Sequence, residues 1–177
     1  MRHEASRHRG EERRLWTVVV VSSLCLAGGS CAYADGVVWR DGFEDASAWK
    51  VLTADGVRLT ASAADGASGR AIRLDYDFAR GSGYGIIRRE LAPGAAFPVP
   101  ENYRFRWQMR GDGPRNTLEF KLVEKEPPPG AGESVWWVNQ RDFAFAKDWK
   151  EIVLPKRKFG FAWGPSGGAA MKRIDAI

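Results

Sequence analysis

The stretch Asn116–Asn139, NTLEFKLVEKEPPPGAGESVWWVN, constrains the fold more than any other part of the chain. Leu118, Phe120 and Leu122 alternate with Thr117, Glu119, Lys121 and Val123, the period-two pattern of a half-buried strand. Pro127, Pro128, Pro129 and Gly130 break that pattern, because proline cannot donate to a ladder and glycine bends freely. A second strand follows and carries Trp136 beside Trp137. Neighbours on a strand point to opposite faces, so one of the two enters the core and the other faces outward. The alternation leaves open which. An outward tryptophan on a sheet offers a platform for a flat, weakly polar ring.

Similar short runs recur along the chain. Trp49–Leu52 and Val57–Thr60 flank the turn signal Asp55-Gly56. Ile72, Leu74, Tyr76 and Phe78 alternate with polar residues, and Tyr84–Leu91 follows a Gly-Ser-Gly turn. Pro93–Pro100 is expected to be a loop. Tyr103, Phe105, Trp107 and Met109 alternate with Arg104, Arg106, Gln108 and Arg110, and Gly111–Pro114 turns the chain. Val37–Trp39 and Trp149–Leu154 are further strands, and Ile174–Ile177 begins a last one. No helical period of useful length is present. Short strands with turn chemistry between them predict an all-β sandwich or barrel.

The first 34 residues read as a leader. Arg2, Arg7, Arg9, Arg13 and Arg14 precede the apolar run Leu15–Ala27, and Ala32-Tyr33-Ala34 is a small-x-small cleavage pattern. The run is short for a bilayer span. The expected outcome is a signal peptide over 1–34, cleavage near Ala34, and a periplasmic or extracellular domain over 35–177. The alternatives are an uncleaved anchor and, less favoured, a lipoprotein route through Cys31. Cleavage removes Cys25, Cys31, His3 and His8, so the exported chain has no disulfide, histidine or cysteine. It also removes five arginines and three glutamates, lowering the net charge from +5 to +3. So mild a charge points to neither nucleic acid nor membrane.

Several of these segments, in order, carry a resemblance. They are Asp41-Gly42-Phe43-Glu44, Gly69–Leu74, Tyr103–Arg110, Leu118–Leu122, Trp136–Asn139 and Phe159–Pro165. Together they resemble a bacterial carbohydrate-binding module of the galactose-binding-like jelly-roll type, similar to the family 11 modules. The resemblance covers roughly Val37 to Ile177. It implies an antiparallel jelly-roll β-sandwich that binds polysaccharide or oligosaccharide without catalysis. It also implies association with a glycoside hydrolase domain in the service of glycan degradation. One further strand, carrying an acidic pair, is expected after Ile177; this sequence does not contain it. The resemblance places a structural calcium at Glu44, a hard oxygen ligand. A solvated glutamate in a turn is the plainer account of the same residue.

Alternation nominates the contact residues. With Tyr103, Phe105, Trp107 and Met109 inside, Arg106, Gln108 and Arg110 face out, and Glu119 and Lys121 share that exposure on the next strand. Trp136 or Trp137 joins them, and Tyr84, Asn139 and Trp163 are further candidates. Trp39, Trp49 and Trp149 are assigned to the core. Aromatic faces beside guanidinium, amide and carboxylate groups suit a sugar, whose C–H face stacks and whose hydroxyls hydrogen-bond. An ordinary solvated sheet face of mixed charge is the competing account.

Catalysis finds little support. Gly164-Pro165-Ser166-Gly167-Gly168 matches G-x-S-x-G, but after cleavage no histidine remains to partner the serine. The segment reads as a loop. Glu119, Glu133, Asp142 and Asp148 could in principle supply a glycosidase pair, making a small glycoside hydrolase the minor alternative. An adhesion or assembly domain that binds protein is the other. Lys156-Arg157-Lys158 reads as a charged edge that discourages strand pairing, not as a nucleic-acid site.

Overall fold

The computed structural model describes residues 39–78, 83–92 and 95–177, together with the backbone of Leu15–Val18. Within these residues the chain is all-β. In order, the strands are β1 (Leu15–Val18), β2 (Trp49–Thr53), β3 (Arg58–Asp65), β4 (Arg70–Asp77), β5 (Gly85–Arg89) and β6 (Phe97–Pro98). Then come β7 (Arg104–Gly111), β8 (Asn116–Lys125), β9 (Glu133–Phe143), β10 (Lys150–Pro155), β11 (Gly160–Trp163) and β12 (Arg173–Ile174). The helical turns among the described residues are Ala46–Ala48 and Lys156–Lys158, both 3-10.

The strands pair antiparallel. One sheet has the order β10-β7-β1-β4-β3, and a second has the order β11-β9-β8. Two-stranded pairs are β2-β5 and β6-β12. The chain's final residues tie β5 to β8. Ala176 bridges both Glu90 and Val123. Arg89 and Ile177 exchange N–H···O bonds of 2.7 and 3.0 Å, and Val123 N–H donates to Ala176 O at 2.9 Å.

β7 shows why the sheets stack. Phe105, Trp107 and Met109 are at most 3% exposed, while Arg110 on the other face is open to solvent. Their rings meet Phe120 of β8: Phe105 lies 5.0 Å from it and Trp107 4.9 Å, nearly parallel. The five-stranded sheet therefore packs its apolar face on the sheet containing β8, an arrangement compatible with a β-sandwich. Leu122, Ile72, Ile174 and Phe43 are also fully buried.

Phe43 is buried with φ of +56°, an unusual conformation for a bulky residue. Its N–H donates to the Asp41 carboxylate at 2.8 Å, and its ring sits 5.3 Å from Trp49. The Asp-Gly-Phe-Glu segment is thus a side-chain-braced turn that drops one aromatic into the core.

The expected strands from Trp49 onward are present. Val37 and Val38 lie outside the described residues, and Trp39 is not in a strand. The Pro93–Pro100 segment contains the two-residue strand β6, made by pairing Phe97 with Ile174. Of the expected leader, only the backbone of Leu15–Val18 is described. It lies between β4 and β7, with Val18 opposite Ile72 and Met109.

Candidate functional site

The register of β8 on β9 sets the site. Lys121 stands opposite Trp137, Glu119 opposite Asn139, and Leu122 opposite Trp136. Directly opposed residues share a face. Lys121, Glu119, Trp137 and Asn139 therefore lie on the outer face, and Leu122 and Trp136 on the inner one. Trp136 is 7% exposed and meets Phe161 edge to face at 5.7 Å. The tryptophan that faces outward is Trp137.

Trp163 reaches the same outer face through an irregularity. On a regular strand Phe161 and Trp163, two residues apart, would point the same way. The register shifts between them, a β-bulge that turns Trp163 to the opposite side from Phe161. Trp163, 46% exposed, then meets Trp137 with centroids 5.7 Å apart and planes at 83°. Lys121 Nζ lies 5.7 Å from the Trp137 ring and 5.3 Å from the Trp163 ring. Both distances suit a cation–π contact. Lys121 also pairs with Glu119 at 2.8 Å, and Asn139 Nδ2 donates to Glu119 at 3.1 Å. Gly160, directly opposite Trp137, carries no side chain, and nothing lies within 4 Å of where its Cβ would be, so on β11 it is Trp163 that reaches that ring.

The segment after Trp163 fixes the bulge. Gly164 has φ of +124°, and a Cβ there would collide with Ser134 Cα and the Glu133 carbonyl. Ser134 is fully buried. Its hydroxyl donates to the Glu126 carboxylate at 2.6 Å and accepts the Ser166 N–H at 2.9 Å. The Gly-Pro-Ser-Gly-Gly sequence is accordingly a tight loop anchored on β9, with turn bonds from Gly167 N to Gly164 O and Ala169 N to Ser166 O.

An ion-pair network borders the face. Arg88 of β5 reaches Glu133 of β9 with two bonds of 2.8 and 2.6 Å, and also contacts Glu90 at 2.7 Å. Lys125 pairs with Glu90 at 2.8 Å. These groups lie on the same side as the buried Val123, Val135 and Ala176. The Glu133 hydrogen bond raises the Arg88 pKa further. Burial pushes the Glu90 carboxyl up, but Lys125 and Arg88 outweigh it and hold the pKa below 4.5.

Beside Glu119 and Lys121 a cavity of about 330 Å³ opens between β5 and β8, floored by Leu59, Leu74, Tyr76 and Trp107. Tyr84 stands at its wall, 52% exposed. Burial raises the Tyr76 phenol to about 12, with Asn116 as its hydrogen-bonding neighbour.

The structure divides the nominated residues. Glu119, Lys121, Trp137, Asn139 and Trp163 come together, and Tyr84 lies across the cavity from Glu119 and Lys121. Arg106, Gln108 and Arg110 do not join them. They project from β7, whose sheet packs its inner face against β8, so their side chains leave from the far side of the two-layer structure. There Arg106 pairs with Glu151 at 2.7 Å, and Arg110 stacks 4.7 Å over Trp149. Glu44 is exposed after the Phe43 turn. Among the described residues no group of three or more His, Cys, Asp or Glu is placed to hold a metal ion. Sequence reading placed Gly164 only in a loop and did not single out Gly160 or Ser134, which together with it shape the face. The Gly-x-x-x-Gly spacing around Phe161–Trp163 was the available signal.

Comparison with protein-family models, curated proteins and solved structures finds no match.

Proposed function

We propose that the protein binds carbohydrate without catalysis, at the outer face of β8, β9 and β11. The reading includes a jelly-roll sandwich of the galactose-binding-like type, exported by its leader, whose ligand is a polysaccharide or oligosaccharide. The observation that carries it is the Trp137–Trp163 pair. Two perpendicular indoles give one ring to stack on a sugar's C–H face and a second to wall its edge. Glu119, Lys121 and Asn139 beside them supply a carboxylate, an ammonium and an amide, the donors and acceptors that vicinal hydroxyls use.

In this reading the ion-pair network is structural, because its charges already satisfy one another. A calcium at Glu44 stays an expectation of the resemblance, as does an appended glycoside hydrolase domain. The test is retardation of the protein in native gels cast with β-glucan, xylan, galactan or mannan. Retardation by one polymer supports the reading. Unchanged mobility of folded protein in all four contradicts it.

A further inference from the structure

Trp137 and Trp163 meet as a floor and a wall. Trp137 belongs to β9, the middle strand of its sheet, and Trp163 comes from the edge strand β11. With planes at 83°, the two rings cannot both stack on one flat surface. A ring that lies on Trp137 has its edge against Trp163, which is 46% exposed and open to a ligand.

Lys121 reaches the same corner from β8. Its ammonium lies 5.7 Å from the floor ring and 5.3 Å from the wall ring. The ion pair with Glu119 at 2.8 Å engages one of the three N–H donors that a lysine ammonium carries. The charge of Lys121 is thereby compensated, so a uronate or a sulfate gains little from it and a neutral sugar is favoured. The corner offers that sugar an apolar wall with a hydrogen-bond donor beside it.

In a chain of pyranoses each ring has two long edges. One carries the ring hydroxyls. The other carries the ring oxygen and the carbon next to it. In a hexose that carbon bears a hydroxymethyl group, which would stand between the sugar and the indole and lose its water there. In a pentose the same carbon is a bare CH2, and the ring oxygen beside it only accepts. This edge matches the corner group by group, with CH2 against Trp163 and the ether oxygen toward the Lys121 ammonium.

We infer, resting on the carbohydrate reading above, that the ligand is a neutral pentose-based glycan of the xylan type. One xylose stacks on Trp137 and turns its unsubstituted edge to Trp163 and Lys121. Trp137 then supplies affinity, and Trp163 supplies selection against hexoses.

The test compares xylohexaose with cellohexaose. The two share linkage and hydroxyl stereochemistry and differ by the hydroxymethyl group on each ring. Titration calorimetry of the full chain should give xylohexaose an affinity at least about tenfold higher. Trp163→Ala removes an exposed ring and should bring the two affinities within about twofold of each other, by weakening xylohexaose. Trp137→Ala should weaken both. Equal affinities in the wild type, or tighter cellohexaose, overturn the inference and leave the carbohydrate reading standing. Retardation by galactan or mannan without binding of xylohexaose does the same. A preference that is unchanged in Trp163→Ala also overturns the inference, because the wall would not be its source. Binding of neither oligosaccharide, with unchanged mobility in all four gels, removes the reading and the inference together.

Discussion

Trp137 and Trp163 meet edge to face, 5.7 Å between centroids and 83° between planes, although they come from different strands. The contact exists because β11 bulges between Phe161 and Trp163. Without the bulge, Trp163 would lie on the Phe161 side, with Trp136. The outer aromatic pair is therefore a product of one local backbone irregularity and the loop that holds it.

Gly164→Ala should uncouple that device. The added Cβ meets Ser134 and Glu133 backbone at a positive φ, a double penalty of about 1–3 kcal/mol. Urea unfolding should show the loss, and tryptophan fluorescence of the folded variant should shift as Trp163 moves. A variant with wild-type stability and spectrum would show that the loop does not fix Trp163.

Ser134→Ala removes the donor to Glu126 and the acceptor for the Ser166 N–H. Both partners lie at a part-buried position, so the expected loss is about 1–3 kcal/mol. The same urea midpoint measures it, and a change below about 0.5 kcal/mol would mean that water replaces the hydroxyl without cost.

Glu90 makes stability depend on acid. Its folded carboxyl is held below 4.5. As pH falls, the unfolded state takes up the proton first. The contribution is therefore present above the unfolded value and is lost as pH drops through the depressed folded one. Melting temperature should fall between about pH 5 and pH 3, and Glu90→Gln should flatten that limb while lowering the plateau at pH 7. Identical acid limbs for the two proteins would remove Glu90 from the account.

The expected leader and the sheet make a joint prediction. Cleavage after Ala34 would remove β1, which pairs with β4 and β7 in the five-stranded sheet. Residues 35–177 should then melt lower than the full chain, with faster amide exchange along Ile72–Asp75 and Met109–Gly111. Equal melting temperatures would show that β1 adds nothing to the sheet.

Much of the fold was legible because strands write their faces into sequence. Phe105, Trp107 and Met109 against Arg104, Arg106 and Gln108 needed only a period of two. So did Leu118, Phe120 and Leu122. What sequence did not carry was which sheet each strand joins. β7 and β8 are consecutive, yet their outer faces look in opposite directions, and Arg106, Gln108 and Arg110 were separated from Glu119 and Lys121 for that reason. Nor did it carry β6, a strand of two residues created by a distant partner. The choice between Trp136 and Trp137 needed the register that seats Trp136 opposite Leu122.

The most direct measurement is affinity electrophoresis of the wild type, Trp137→Ala and Trp136→Ala, in gels with and without each polysaccharide. The account predicts retardation of the wild type by one polymer. Trp137→Ala should remain folded and lose about thirtyfold in affinity, equivalent to about 2 kcal/mol. Trp136→Ala, which empties a buried site, should instead lose about 3–5 kcal/mol of stability. Retardation that survives intact in Trp137→Ala, or is absent in a folded wild type, would contradict the assignment of a sugar to this face.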